Sequence, residues 1–160
     1  MGVSQILTPD QVSLASAAEG VVRTKPAAIH RLSALLARGQ SAVSAEEIER
    51  VLGEREALQS TGVGGGVAIP HGAIEKLDHL VGAVLLCPTP IEFDAIDRAP
   101  VSILFAVIGP KRATGEHLKT LARVSRLLRD DSFRARLLAA GSGREAFAMI
   151  ADEEGRVAGS

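Results

Sequence analysis

Along the chain, hydrophobic positions switch from a helical period to short apolar runs and back again. Residues 26 to 38 place Ile29, Leu32, Leu35 and Leu36 at helical spacing behind Pro26, which suits a first turn, and Gly39 supplies a stop. A second helix opens at Ser44, whose Ser-x-x-Glu spacing to Glu47 has the form of a capping box, and runs to about Leu58. Its buried face is Ile48, Val51 and Leu52, with Gly53 weakening the middle.

The centre differs. Residues 67–69, 81–86 and 101–108 are apolar, rich in branched side chains and bounded by Gly and Pro, the pattern of strands covered on both faces. Pro88, Pro90, Pro100 and Pro110 mark expected strand ends. After Pro110 the helical period returns. Leu118, Leu121, Ala122, Val124, Ser125 and Leu128 form a narrow stripe, with Arg123, Arg126 and Arg129 largely outside it. A short helix over 132–140 and a last one from about Ser142, again Ser-x-x-Glu to Glu145, complete the pattern. Helices on both sides of a central strand block predict a single-domain α/β sandwich, with strand order undetermined. Residues 1 to 10 read as an irregular lead-in and 155–160 as a frayed tail.

Composition narrows the function classes. Four Phe with no Tyr or Trp leave few platforms for stacking bases, and a net charge of -1 gives no basic field, so nucleic acid is not an expected partner. Cys87, the one cysteine, sits in an apolar run and reads as a buried small hydrophobe. The first residues lack a secretion signal, and no apolar stretch approaches the ~20 residues of a membrane span, so a soluble, cytoplasmic protein without stable membrane insertion is expected.

Candidate chemistry gathers around Thr61-Gly62-Val63-Gly64-Gly65-Gly66 and Pro70-His71-Gly72. The glycine loop can present N–H groups to an anion, but it lacks the Walker and Gly-x-Gly-x-x-Gly spacings, and a flexible turn entering a strand explains it better. His71, at the end of the following strand, is pinned by Pro70 and left unshielded by Gly72. One ring nitrogen can then be held by an acceptor while the other attacks. A plain turn histidine is the competing explanation. Phosphorylation would put about -2 beside the ring, calling for a cation and directed donors. Arg55 is a candidate clamp, or else an exposed ion pair with Glu54 or Glu56. His117, in the first turn of the long helix, is a candidate neutral hydrogen-bond donor, or else a solvated helix-end residue. His30 and His79 read as structural or exposed. No pair has zinc-motif spacing, so neither a metal nor a cofactor is expected.

Ser60-Thr61-Gly62-Val63-Gly64-Gly65-Gly66-Val67-Ala68-Ile69-Pro70-His71-Gly72 resembles the active-site region of phosphotransferase-system IIA proteins of the fructose/mannitol/nitrogen-related class. The run His117-Leu118-Lys119-Thr120-Leu121-Ala122-Arg123-Val124-Ser125-Arg126-Leu127-Leu128 looks like that family's second characteristic segment, and Gly53-Glu54-Arg55-Glu56 also matches. The resemblance covers residues 5–153, leaving 1–4 and 154–160 as flexible termini. It implies a mixed central sheet flanked by helices, with His71 as tele-phosphohistidine nucleophile, Arg55 and His117 as its active-site partners, and Thr61 near the phosphoryl group as an orienting residue. A phosphorylated HPr-type carrier is the implied donor. Three functions compete: a regulatory IIA of the nitrogen-related branch acting on partner proteins, a fructose- or mannitol-type IIA relaying phosphate to a sugar-specific IIB, and a phosphorylation-independent binding module. Overall likeness to the nitrogen-related branch favours the first.

Overall fold

A computed structural model describes residues 2–16 and 19–158, and the side chains of 157 and 158 are left aside. In chain order the elements are β1 (Val12–Leu14), α1 (Lys25–Ala37), α2 (Ala45–Leu58), β2 (Gly62–Gly64), β3 (Val67–Ala68), β4 (His71–Ala73), β5 (Val81–Ile91), β6 (Val101–Gly109), α3 (Thr114–Leu127), α4 (Asp131–Leu138) and α5 (Gly143–Ala158). The six strands make one mixed sheet, ordered β1-β5-β6-β3-β2, with β4 also paired to β6. β5 and β6 run antiparallel at its centre, while β1 lies parallel to β5, and β3 and β4 lie parallel to β6.

Alternation along the two long strands divides the core. Ala83, Leu85, Cys87, Leu104, Ala106 and Ile108 face a cluster with Leu32 and Leu36 of α1 and Ile48 and Leu52 of α2. Val84, Leu86, Ile103, Phe105 and Val107 face the other cluster, with Val124 of α3, Phe133 and Leu137 of α4, and Ala146 and Ile150 of α5. Both faces are covered, which is why these strands read as continuous apolar runs. The caps are local. Thr24 Oγ1 accepts from Ala27 N at 3.2 Å, Ser44 Oγ from Glu47 N at 3.1 Å, and Ser142 Oγ from Glu145 N at 3.1 Å.

Several expectations need correction. β5 does not stop at Leu86. It continues through Pro88 and Pro90 to Ile91 because its register against β6 shifts between Leu86 and Ile91, which frees those positions from donating. In α3 the buried stripe is His117, Thr120, Val124 and Leu127, and Leu118 is 62% exposed. The lead-in forms two short 3-10 turns, Val3–Ile6 and Pro9–Gln11. Val3 is buried, with Val3 N and Ser4 N donating to the Glu154 carboxylate on α5. The helical pattern at the other end persists to Ala158. The short strands β1, β2 and β4 escaped the pattern altogether, being too brief to show a period. Expectations for residues 1, 159 and 160 lie outside the described residues.

Candidate functional site

β4 positions the histidine. His71 opens this strand, rather than ending the one before it, and pairs with Val107 of β6. Pro70 interrupts the line from β3 to β4, its carbonyl accepting from Val107 N at 2.9 Å. The Ile69 carbonyl is then turned to the imidazole, 2.7 Å from His71 Nδ1. A carbonyl oxygen can only accept, so Nδ1 carries the proton and Nε2 keeps its lone pair. Gly72 also serves packing. A Cβ there would lie 2.5 Å from Val51 Cγ1, so the glycine lets α2 press onto β4.

His117, 8% exposed in the first turn of α3, meets the His71 ring edge-on with centroids 5.9 Å apart. Its Nε2 is buried and has no hydrogen-bond partner among the described residues. Such an atom costs about 1–3 kcal/mol until something binds it. Burial holds both imidazoles below the ordinary histidine pKa. For His71 the Ile69 carbonyl works the other way, Arg55 lowers the pKa further, and Glu56 raises it; for His117 the second cause is His71 itself. A neutral ring has one N–H donor and one nitrogen with a free lone pair, which makes it the nucleophilic form.

Arg55 and Thr61 line the same cleft as His71, of about 370 Å³, together with Val63, Ile69, Ile96, Leu121 and Ala122. Arg55 is not the surface ion pair its neighbours allowed. Glu54 pairs with Arg50 at 2.6 Å and Glu56 with Lys25 at 3.0 Å, while Arg55 Nη1 donates to the Gln59 carbonyl at 2.8 Å. That contact uses one nitrogen of a five-donor fork and braces the rest at the cleft. Thr61 is buried, and both its donors are occupied by Glu56: the amide at 2.9 Å and the hydroxyl at 2.6 Å.

Of the glycine run, only Gly62 and Val63 line the cleft. Gly64, Gly65 and Gly66 all have positive φ and turn the antiparallel β2–β3 hairpin. Gly65 N donates to Asp97 Oδ2 at 3.2 Å and Gly62 N to Ser60 Oγ at 3.1 Å, so these two amides are already engaged. His30 and His79 stand apart on exposed pairs with Glu49 and Asp78. The sequence reading missed Glu56 and Lys25, since residues 31 positions apart carry no shared pattern; it also missed the Ile69 carbonyl, which every residue type possesses.

Residues 5–153 match the model of the family described as phosphoenolpyruvate-dependent sugar phosphotransferase system, EIIA 2. The chain belongs to this family. A nitrogen regulatory protein of Escherichia coli K12 is 42% identical over 83% of this chain and 82% of its own length. A nitrogen regulatory protein of Pseudomonas aeruginosa is 35% identical over 94% and 95%, respectively. Among solved structures, the nitrogen regulatory protein IIA-Ntr of Neisseria meningitidis superposes with a TM-score of 0.82 at 34% identity, covering 92% of this chain and 98% of that one. The EIIA 2 member described here is therefore similar to nitrogen regulatory proteins over most of its length and shares their single-domain mixed-sheet fold. No helix among its described residues is long and apolar enough to cross a membrane.

Proposed function

We propose that this protein accepts a phosphoryl group on His71 Nε2 from a phosphorylated HPr-type carrier and serves as a cytoplasmic, regulatory IIA component of a nitrogen-related phosphotransferase system. The observation that carries this reading is the 2.7 Å contact from Nδ1 to the Ile69 carbonyl, which leaves the other nitrogen nucleophilic in a cleft shared with Arg55. In the transfer, the Nε2 lone pair forms the new N–P bond as the carrier's own P–N bond breaks, and that electron pair returns to the carrier's ring nitrogen. If each ring keeps its remaining N–H, no proton crosses between the partners. Arg55 meets the equatorial oxygens with charge, and His117, as the neutral tautomer protonated on Nε2, supplies the donor that its buried nitrogen now lacks a use for.

A protein donor also suits the surroundings. Val63 and Ile96, 52% and 70% exposed, rim the cleft, and Leu118 adds a further exposed apolar side chain on α3. Such a rim fits a docking protein face better than a free sugar. The similarity to nitrogen regulatory proteins supports a signal rather than transport as the destination of the phosphoryl group. The test is phosphotransfer from enzyme I and several HPr-type carriers, followed by addition of sugar-specific IIB proteins. Labelling at His71 without onward transfer is expected. Efficient transfer to a IIB would move the protein to the transport class, and no labelling by any carrier would leave a binding module.

A further inference from the structure

Behind the cleft wall lies a buried ion pair that the proposed transfer does not require. Glu56, on the last turns of α2, is almost fully buried, an expensive place for a carboxylate unless it is paired and hydrogen-bonded. It has both. Lys25 Nζ stands 3.0 Å from Oε1, and Lys25 is itself fixed by the Phe93 carbonyl at 3.1 Å and by the Phe93 ring, 4.6 Å from its centroid. The other partners of the carboxylate are the amide and hydroxyl of Thr61.

From there the line continues to the imidazole. Ile69 N donates to the Thr61 carbonyl at 3.0 Å, and the Ile69 carbonyl holds His71 Nδ1. A hydroxyl has one proton. With that proton given to Glu56, and its amide given to the same carboxylate, Thr61 meets the cleft with no donor left for a phosphoryl oxygen.

On the reading that His71 is the acceptor, we propose that Glu56 is a positioning residue that keeps the phosphoryl group transferable: it occupies both donors of Thr61 and sets a negative charge behind the site, which Lys25 partly offsets. A relay must release what it accepts. An additional donor and one fewer negative charge would deepen the phosphohistidine state and slow its discharge.

The two members of the pair therefore have opposite effects, which a purely structural role would not produce. Glu56→Gln removes the charge and frees the Thr61 hydroxyl, so the equilibrium with the phosphorylated carrier should shift about tenfold toward phospho-His71. Lys25→Gln leaves Glu56 charged without its counter-ion and should shift the equilibrium the other way, by about threefold or more. Adding Thr61→Val to Glu56→Gln should reverse the hydroxyl's share of the gain and leave the share due to charge. In the unphosphorylated protein, imidazole NMR titration should show His71 moving down in pKa with Glu56→Gln and up with Lys25→Gln, against the fixed contributions of burial, the Ile69 carbonyl and Arg55. Shifts of the same sign in both variants would overturn the inference. Should Glu56→Gln not fold, Lys25→Gln decides alone, and unchanged or increased phosphoryl retention sinks the idea. Wild-type protein that takes no label on His71 would remove the acceptor reading itself, an outcome distinct from a labelled wild type whose variants fail to diverge.

Discussion

His117 stands edge-on to His71 with 5.9 Å between ring centroids, and its Nε2 is buried with no partner among the described residues. On the proposed function, a polar atom left in this condition beside the acceptor ring is poised for the arriving phosphoryl group. Replacing His117 with Ala should slow phosphoryl transfer by on the order of 10–100-fold, the worth of a hydrogen bond to a charged oxygen. His117→Gln, which keeps an N–H, should recover part of that loss. Equal rates for both variants would show that the atom makes no contact in the transition state.

His71→Ala should abolish labelling while changing unfolding free energy by about 1 kcal/mol or less, because the side chain is only half-buried and its one bond is to a backbone carbonyl. Mass spectrometry of acid-protected digests, alongside urea unfolding, checks both halves. Label retained on another residue would refute the assignment.

Acid should weaken the fold through the same two rings. Both histidines have folded-state pKa values below the ordinary 6.5. Between the folded and ordinary values the unfolded chain binds more protons, so stability rises with pH across that window. It is fully present above about 6.5 and is lost as pH falls through the folded pKa values. Urea unfolding from about pH 8 to about pH 5 should show this slope, and His117→Gln should flatten it. An unaltered slope in that variant would mean His117 is not a buried neutral ring.

Arg55→Lys should lower the transfer rate nearly as far as Arg55→Ala, with little change in melting temperature. A lysine keeps the charge but cannot both hold the Gln59 carbonyl and present a planar fork. Full activity in Arg55→Lys would reduce the arginine to a point charge.

Two glycines should separate. Gly72→Ala drives a methyl into Val51, so a loss of about 1–3 kcal/mol is expected, with impaired labelling as β4 shifts. Gly65→Ala meets only the flexible end of Arg134 at 3.5 Å but must hold a φ of +66°, costing about 1 kcal/mol. Its labelling should survive, since the hairpin tip is outside the cleft. Loss of labelling there would restore the glycine run as a phosphate-binding loop.

Local sequence already determined much of the molecule. The periodicities of α1, α2 and α3 and the apolar runs of β5 and β6 fixed a layered α/β fold, because burial on one stripe or on both faces leaves a mark at every few positions. The motif around His71 and the residues Arg55 and His117 could likewise be singled out, since each belongs to a short recognisable segment. Tertiary structure alone decided what those residues touch. It assigned Gly72 to helix packing, moved Leu118 to the surface, withdrew the donors of Thr61 to Glu56, and left the lone pair on Nε2 of His71 by turning the Ile69 carbonyl to Nδ1. These are pairings between distant or featureless positions. Hydrogen-bond direction and burial depend on what the fold brings within about 3 Å, a distance that no spacing along the chain encodes.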